Sequence, residues 1–325
     1  MKKLSVLFLI FLFAVMLSCK NTEDHPHTFY YWRTNLSLNP AEKDALKKAS
    51  LPYLYTRFFD IEKVDGKFQP IGVITKDKTF QTDKEIIPVV FIKNEVFYDI
   101  TLKEITFLAN NVATLIKKKH TEFNFKKSRE IQIDCDWTAG TNKEYFEFLK
   151  QLKEISKAEI TCTLRLHQVK DRTLSGIPPV DKVYLMCYST SSPLENSTKN
   201  SILDVPTLKN YLKFVHRYPL DIEVALPIFS WGIVTNHLGK HKLINALSAK
   251  DLERPEFKKI STYEAEVLVD GFYFGSFLNK GFKIKVEEIS DQQLTEVKKY
   301  LDQKLTSYRV IYYHLDRRFL EDKTF

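Results

Sequence analysis

Apolar residues along the chain recur in two alternating periods, short runs with a repeat of two and longer runs with a repeat near 3.6. The period-two runs are 28–35, 52–61, 86–93, 130–137, 158–168, 182–189, 220–231 and 308–316, rich in Ile, Val, Tyr and Phe, and they predict eight strands. Helical patterns fall between most of them. Asn39 stands as N-cap before Pro40 at the first helical position of 39–50. In 101–120, Ile105, Leu108, Val112 and Ile116 form one stripe, and Thr101 with Glu104 makes a capping box. Thr141 and Glu144 stand in the same relation at the head of 141–156, and further helices are predicted over 206–218 and 290–305.

Strand–helix alternation implies a parallel sheet, and eight such units predict an α/β fold, a (β/α)8 TIM-like barrel over 28–325. Two departures from regularity follow. An α+β insertion, 232–289, comes after the seventh strand and contains a hairpin over 263–289. Only nine residues follow the eighth strand, so the last helix is missing or minimal. A doubly wound open sheet is the alternative, but neither a dinucleotide fingerprint nor a phosphate loop opens the first unit.

Alternation also sorts side chains by face. In 130–137, Ile131, Ile133, Cys135 and Trp137 form the set expected to face the helices, leaving Gln132, Asp134 and Asp136 for the barrel interior. The same division puts Arg165 and His167, Tyr188, and Glu223 on inward faces, with Arg57, Lys93 and His314 late in their own strands. Barrel enzymes hold their sites at the C-terminal ends of the strands, where many of these groups gather beside Trp32 and Trp231. Buried charges must pair or stay wet, so the same residues also permit a structural ion network that plugs the barrel. Acids between aromatic walls suit a sugar better, because ring faces stack on aromatics while hydroxyls bond carboxylates.

The N-terminus changes the setting. Lys2, Lys3 and an apolar run from Leu4 to Leu17 read as a signal peptide, 1–18, since the run is shorter than the roughly 20 residues that span a bilayer. Ser18 and Cys19 resemble the lipobox of bacterial lipoproteins, which implies lipidation at Cys19, a polar tether over 19–27 and an envelope location, periplasmic or surface-exposed. Cys135, Cys162 and Cys187 then remain, an odd number that argues against a disulfide framework, and each is expected to be a small buried residue. Lysine runs such as 116–127 account for much of the formal charge of +8 and read as solvated helix ends, contact with an anionic membrane or polyanion being the alternative. No zinc-finger spacing or RNA-binding aromatic motif is present, so nucleic acid is not an expected partner, and no cofactor is expected.

The segment IQIDCDWT resembles the fourth-strand pattern of chitinase-type glycoside hydrolases, Asp-x-Asp-x-Glu at a barrel strand end. With FYYWRT and KVYLMCYS it resembles a family of uncharacterised bacterial proteins related to such barrels. The resemblance implies Asp134 and Asp136 for the two aspartates and Trp137 for the aromatic that follows. Thr138 stands where the general acid would be, and a threonine supplies no proton near neutral pH. Two readings follow. One is an envelope-anchored hydrolase of a carbohydrate, with Asp136 and Asp134 catalytic and Glu223, Asp60 or Asp316 as the second carboxylate. Arg165, His167, Tyr188, Trp32, Arg57, Lys93, Trp231 and His314 would hold the substrate. The other is a noncatalytic carbohydrate- or peptidoglycan-binding lipoprotein that has lost the general acid. A metal-dependent hydrolase using Asp134, Asp136, His167 and His314 is a third, but no metal-ligand spacing supports it.

Overall fold

The computed structural model describes residues 25–195, 198–321, 323 and 325, so the signal segment and Cys19 lie outside the described residues. All eight predicted strands form: β1 (His27–Tyr31), β2 (Tyr53–Val64), β3 (Glu85–Ile92), β4 (Glu130–Asp134), β5 (Glu159–Leu164), β6 (Lys182–Met186), β7 (Asp221–Pro227) and β8 (Val310–Tyr313). Successive strands pair in parallel, and β1 pairs with both β2 and β8, which closes a (β/α)8 barrel.

The main helices are α1 (Pro40–Lys48), α2 (Leu102–Glu122), α3 (Asn142–Ser156), α4 (Leu166–Lys170), α5 (Val205–Tyr211) and α6 (Asp291–Leu301). The capping boxes at Asn39/Glu42 and Thr101/Glu104 start α1 and α2, whose apolar stripes are buried. The expected box at Thr141 does not form. Its hydroxyl instead accepts from the Thr138 N–H at 3.0 Å and donates to Asn94 Oδ1 at 2.6 Å, tying together the loops that follow β3 and β4. After β8, a single 3-10 turn at Arg317–Phe319 takes the place of a closing helix.

Two local features escape the periodicity. Strand β2 runs past its predicted end to Val64 and folds back into Lys67–Ile71, with Asp65 (φ 49°) and Gly66 (φ 74°) supplying the positive φ angles of a tight hairpin turn. The register of β2 against β3 also slips between Arg57 and Phe59. That bulge lets Arg57 and Asp60, three residues apart, share one face.

Between β7 and α6 the chain builds a five-stranded antiparallel sheet from Trp231–Thr235, His241–Asn245, Phe257–Lys259, Glu264–Val267 and Lys283–Glu287. Val234, Ile244, Phe257, Val267 and Ile284 give it a core of its own. The hairpin expected over 263–289 is present with a smaller one, Gly271–Tyr273 and Ser276–Leu278, set between its arms.

Inside the barrel, the N-terminal end is filled by a polar cluster. Glu130 Oε1 accepts from the Tyr184 hydroxyl at 2.9 Å and from Thr161 at 2.8 Å, while the Tyr55 and Tyr184 hydroxyls lie 2.5 Å apart. Higher up, the Tyr30 hydroxyl donates to Gln132 at 2.8 Å. The opposite face of the fourth-strand segment packs outward: Trp137 stacks on Tyr145 of α3 at 5.2 Å and donates to the Ser175 carbonyl at 2.9 Å. Cys135, Cys162 and Cys187 are free, buried thiols.

Candidate functional site

At the C-terminal ends of the strands lies a cavity of about 500 Å³. Its aromatic wall comes from four places in the sequence. Tyr313 of β8 stacks on Tyr188, just past β6, at 5.4 Å, and meets the edge of Trp32, just past β1, at 5.3 Å. Phe229 packs on Tyr313 at 5.7 Å and on Trp231 at 5.2 Å, joining the barrel to the insertion. The Trp231 indole N–H donates to Glu287 at 2.9 Å, and Glu287 also accepts from the backbone N–H and hydroxyl of Ser201. This buried carboxylate holds the tryptophan platform from behind.

Three arginines lie on the cavity wall, each matched to a carboxylate. Arg57 donates to both oxygens of Asp60, with Nε at 2.6 Å from Oδ1. Arg165 grips Asp136 in the same two-point fashion, with Nη2 at 2.9 Å from Oδ2. Arg318 donates to Asp316 through Nε at 3.0 Å and Nη2 at 2.8 Å. Paired planar geometry of this kind is the strong form of a charge-assisted contact.

Asp134 differs from all of them. It is 4% exposed and accepts one hydrogen bond, from Thr163 at 2.7 Å, with no arginine on either oxygen. Burial raises its pKa to about 6, with the neighbouring Asp136 charge pushing the same way and Arg165 pulling against them. Burial likewise lowers His314 to about 4, so its imidazole is neutral at physiological pH. Among the described residues, the buried Tyr188 hydroxyl and His314 Nδ1 have no hydrogen-bond partner.

Of the residues singled out in the sequence, Trp32, Arg57, Asp60, Asp134, Arg165, Tyr188, Trp231 and His314 line one cavity. Asp136 joins it through Arg165. Four others do not line it. Glu223 sits near the start of β7 at the opposite end of the barrel, where Arg309 binds it through its backbone N–H at 2.6 Å and its guanidinium at 2.5 Å. Lys93 is exposed and pairs with Glu62 at 2.9 Å. His167 is exposed because β5 ends at Leu164 and the chain turns into α4, so the strand alternation that aimed this histidine inward has already stopped. Thr138 is exposed in the loop after β4.

Tyr313, Phe229 and Arg318 also line the cavity, and the sequence reading missed them. Tyr313 was within reach, since it shares a face with the buried Ile311 and alternates with Val310 and Tyr312 in a strand already identified. Phe229 and Arg318 lie past strand ends, where no periodicity operates. Among the described residues, no group of three or more His, Cys, Asp or Glu side chains could hold a metal ion, and no helix is long and apolar enough to cross a membrane.

No family model and no curated protein matches the chain. Solved structures do resemble it. The spore cortex-lytic enzyme SleL of Bacillus cereus aligns over 92% of this chain and 72% of its own at 14% identity, with a TM-score of 0.55. The C-terminal domain of a putative chitinase from Desulfitobacterium hafniense aligns over 90% and 96% at 11% identity, with a TM-score of 0.54. For a chitinase from Chromobacterium violaceum the values are 91%, 96%, 12% and 0.52. At these identities the likeness is one of fold: the chain shares the barrel of chitinase-like and cortex-lytic proteins.

Proposed function

We propose that this chain is a glycoside-hydrolase-like barrel that binds a carbohydrate in the cavity at the C-terminal end of its strands without cleaving it, and that it is held at the bacterial envelope through a lipidated Cys19. The observation that carries the reading is the state of the carboxylates. Asp136, Asp60 and Asp316 each have their oxygens engaged by one arginine, and Thr138 stands where the Asp-x-Asp-x-Glu pattern has its acid. Two-carboxylate hydrolysis needs one group free to hand over a proton and one free to attack or to activate water. The aromatic wall and the fixed arginine–aspartate donors instead suit stacking and hydrogen bonding to a sugar. The shared fold with chitinase-like proteins supports the ligand class, and the run from Leu4 to Cys19 supports the anchor.

The test is a glycan panel assayed for binding by calorimetry and for new reducing ends, using wild type, Trp231→Ala and Asp134→Asn. Binding by wild type, its weakening in Trp231→Ala and no product from any of them is the expected result. A second reading, hydrolysis with Asp134 carrying the proton, is favoured by its pKa of about 6. Cleavage by wild type that disappears in Asp134→Asn would select that reading. No binding to any glycan would overturn both. For the anchor, Cys19→Ser is expected to move the protein out of the membrane fraction.

A further inference from the structure

The end of the barrel opposite the carbohydrate cavity carries a feature that the proposed function leaves unused. Between the C-terminal ends of α2 and α3 lies a groove of about 660 Å³ with Ile116, Ile131 and Ile155 in its lining and Lys117, Lys127 and Lys157 along its length. All three lysines are exposed, and no ion pair to a carboxylate is formed by any of them among the described residues. A surface that combines unpaired cations with an apolar floor matches an amphiphile with an anionic head.

The position of the tether identifies the occupant. Strand β1 begins at His27, so the chain enters the barrel at its N-terminal end, the same end as the groove. His25 is fixed there, 2.8 Å from Asp302 and stacked on Tyr308 at 4.0 Å. From Cys19 to His25 the extended chain spans at most about 20 Å. A lipid on Cys19 therefore holds this end of the barrel within about 20 Å of the bilayer, and a tether short of full extension brings lysines there into the range of about 8–10 Å over which surface potential acts at physiological salt.

We infer that the N-terminal face of the barrel is its membrane-facing side, and that the groove between α2 and α3 seats an anionic phospholipid of the bilayer that carries the anchor. The inference rests on the lipid-anchor reading of Cys19. Its consequence for function is directional: the carbohydrate cavity, at the opposite end of the strands, opens away from the membrane toward a glycan in the surrounding matrix.

The experiment uses the chain from residue 19 with Cys19→Ser, so that no lipid is attached, and measures co-sedimentation with phosphatidylcholine vesicles with and without phosphatidylglycerol. Binding only to the phosphatidylglycerol vesicles, weakening as salt rises, is expected. Each lysine near an anionic surface is worth about fivefold, so Lys117→Gln, Lys127→Gln and Lys157→Gln together lose on the order of a hundredfold. The control pair Lys258→Gln and Lys280→Gln, in the insertion, stays within about twofold. Equal binding to both vesicle types, or a triple variant that binds like the parent, overturns the inference. Soluble polyphosphate bound as tightly as vesicles, and sensitive to the same three lysines, overturns the bilayer assignment. Glycan binding by the same variants reads the other end of the barrel, and fractionation of Cys19→Ser cells reads the anchor, so failure of each reading shows separately.

Discussion

The two ends of the barrel interior are built from the same kinds of residue and arrive at opposite outcomes. At the N-terminal end, Glu130 is surrounded by Tyr184, Thr161, Tyr55 and, at 3.5 Å, Lys182, and Glu223 is bound by Arg309. There the Tyr30, Tyr55 and Tyr184 rings pack against one another, and the Tyr55 and Tyr184 hydroxyls meet the acid. At the C-terminal end, arginines and aspartates pair just as closely, but the tyrosines and tryptophans stand around a cavity of about 500 Å³. One acid, Asp134, is left with a single donor on its side chain. A plug and a site thus differ less in composition than in whether aromatic side chains occupy the space between the charges or border it.

Breaking the closed end has the largest expected effect. Glu130→Ala removes the acceptor shared by Tyr184 and Thr161 and leaves buried donors unpaired, a loss of about 3–5 kcal/mol, read by chemical denaturation. Carbohydrate binding at the far end should survive in the fraction that folds. If binding falls and stability does not, the division of roles between the two ends is wrong.

At the open end, Asp134 makes stability depend on pH in a definite direction. Unfolded, its carboxyl ionises near 3.8, and folded near 6, so between those values the folded chain holds the extra proton. Its contribution is therefore fully present below pH 4, is lost as pH rises through 6 and is level above, a total of about 3 kcal/mol. Asp134→Asn should flatten that part of the stability curve measured from pH 4 to 8. An unchanged curve would mean that the carboxyl is solvated and unperturbed.

Smaller effects sharpen the boundary of the site. Trp231→Ala should weaken carbohydrate binding by about tenfold, and Glu287→Gln, which alters only the support of the indole, by less, with titration calorimetry separating the two. Lys93→Ala and His167→Ala should leave binding within about twofold, since surface substitutions away from a packed feature do little. A larger loss in either would extend the site past the cavity wall.

Much of the architecture was legible because its signals are local. Period-two runs such as 182–189 and stripes such as Ile105, Leu108, Val112 and Ile116 depend only on spacing along the chain, and so do the caps at Asn39 and Thr101. Where a second element intervenes, the local signal fails. Thr141 reads as one half of a capping box, yet its hydroxyl serves the loops at Thr138 and Asn94. His167 reads as the next inward residue of a strand that has in fact ended.

The chain's own pattern determined the number of strands, their alternation with helices, the barrel and the faces on which Gln132 and Asp134 lie, because each is set by backbone geometry repeated over neighbouring residues. Only the tertiary structure decided which inward charges share a place. Glu223 and Asp134 look alike in sequence, both inward acids on barrel strands, but one lies near the start of its strand and the other at the end, at opposite ends of the barrel. The bulge that brings Asp60 beside Arg57, the reach of Arg165 to Asp136 and the arrival of Trp231 from the insertion depend on strand register and closure. Those are properties of the assembled sheet, and no single segment carries them.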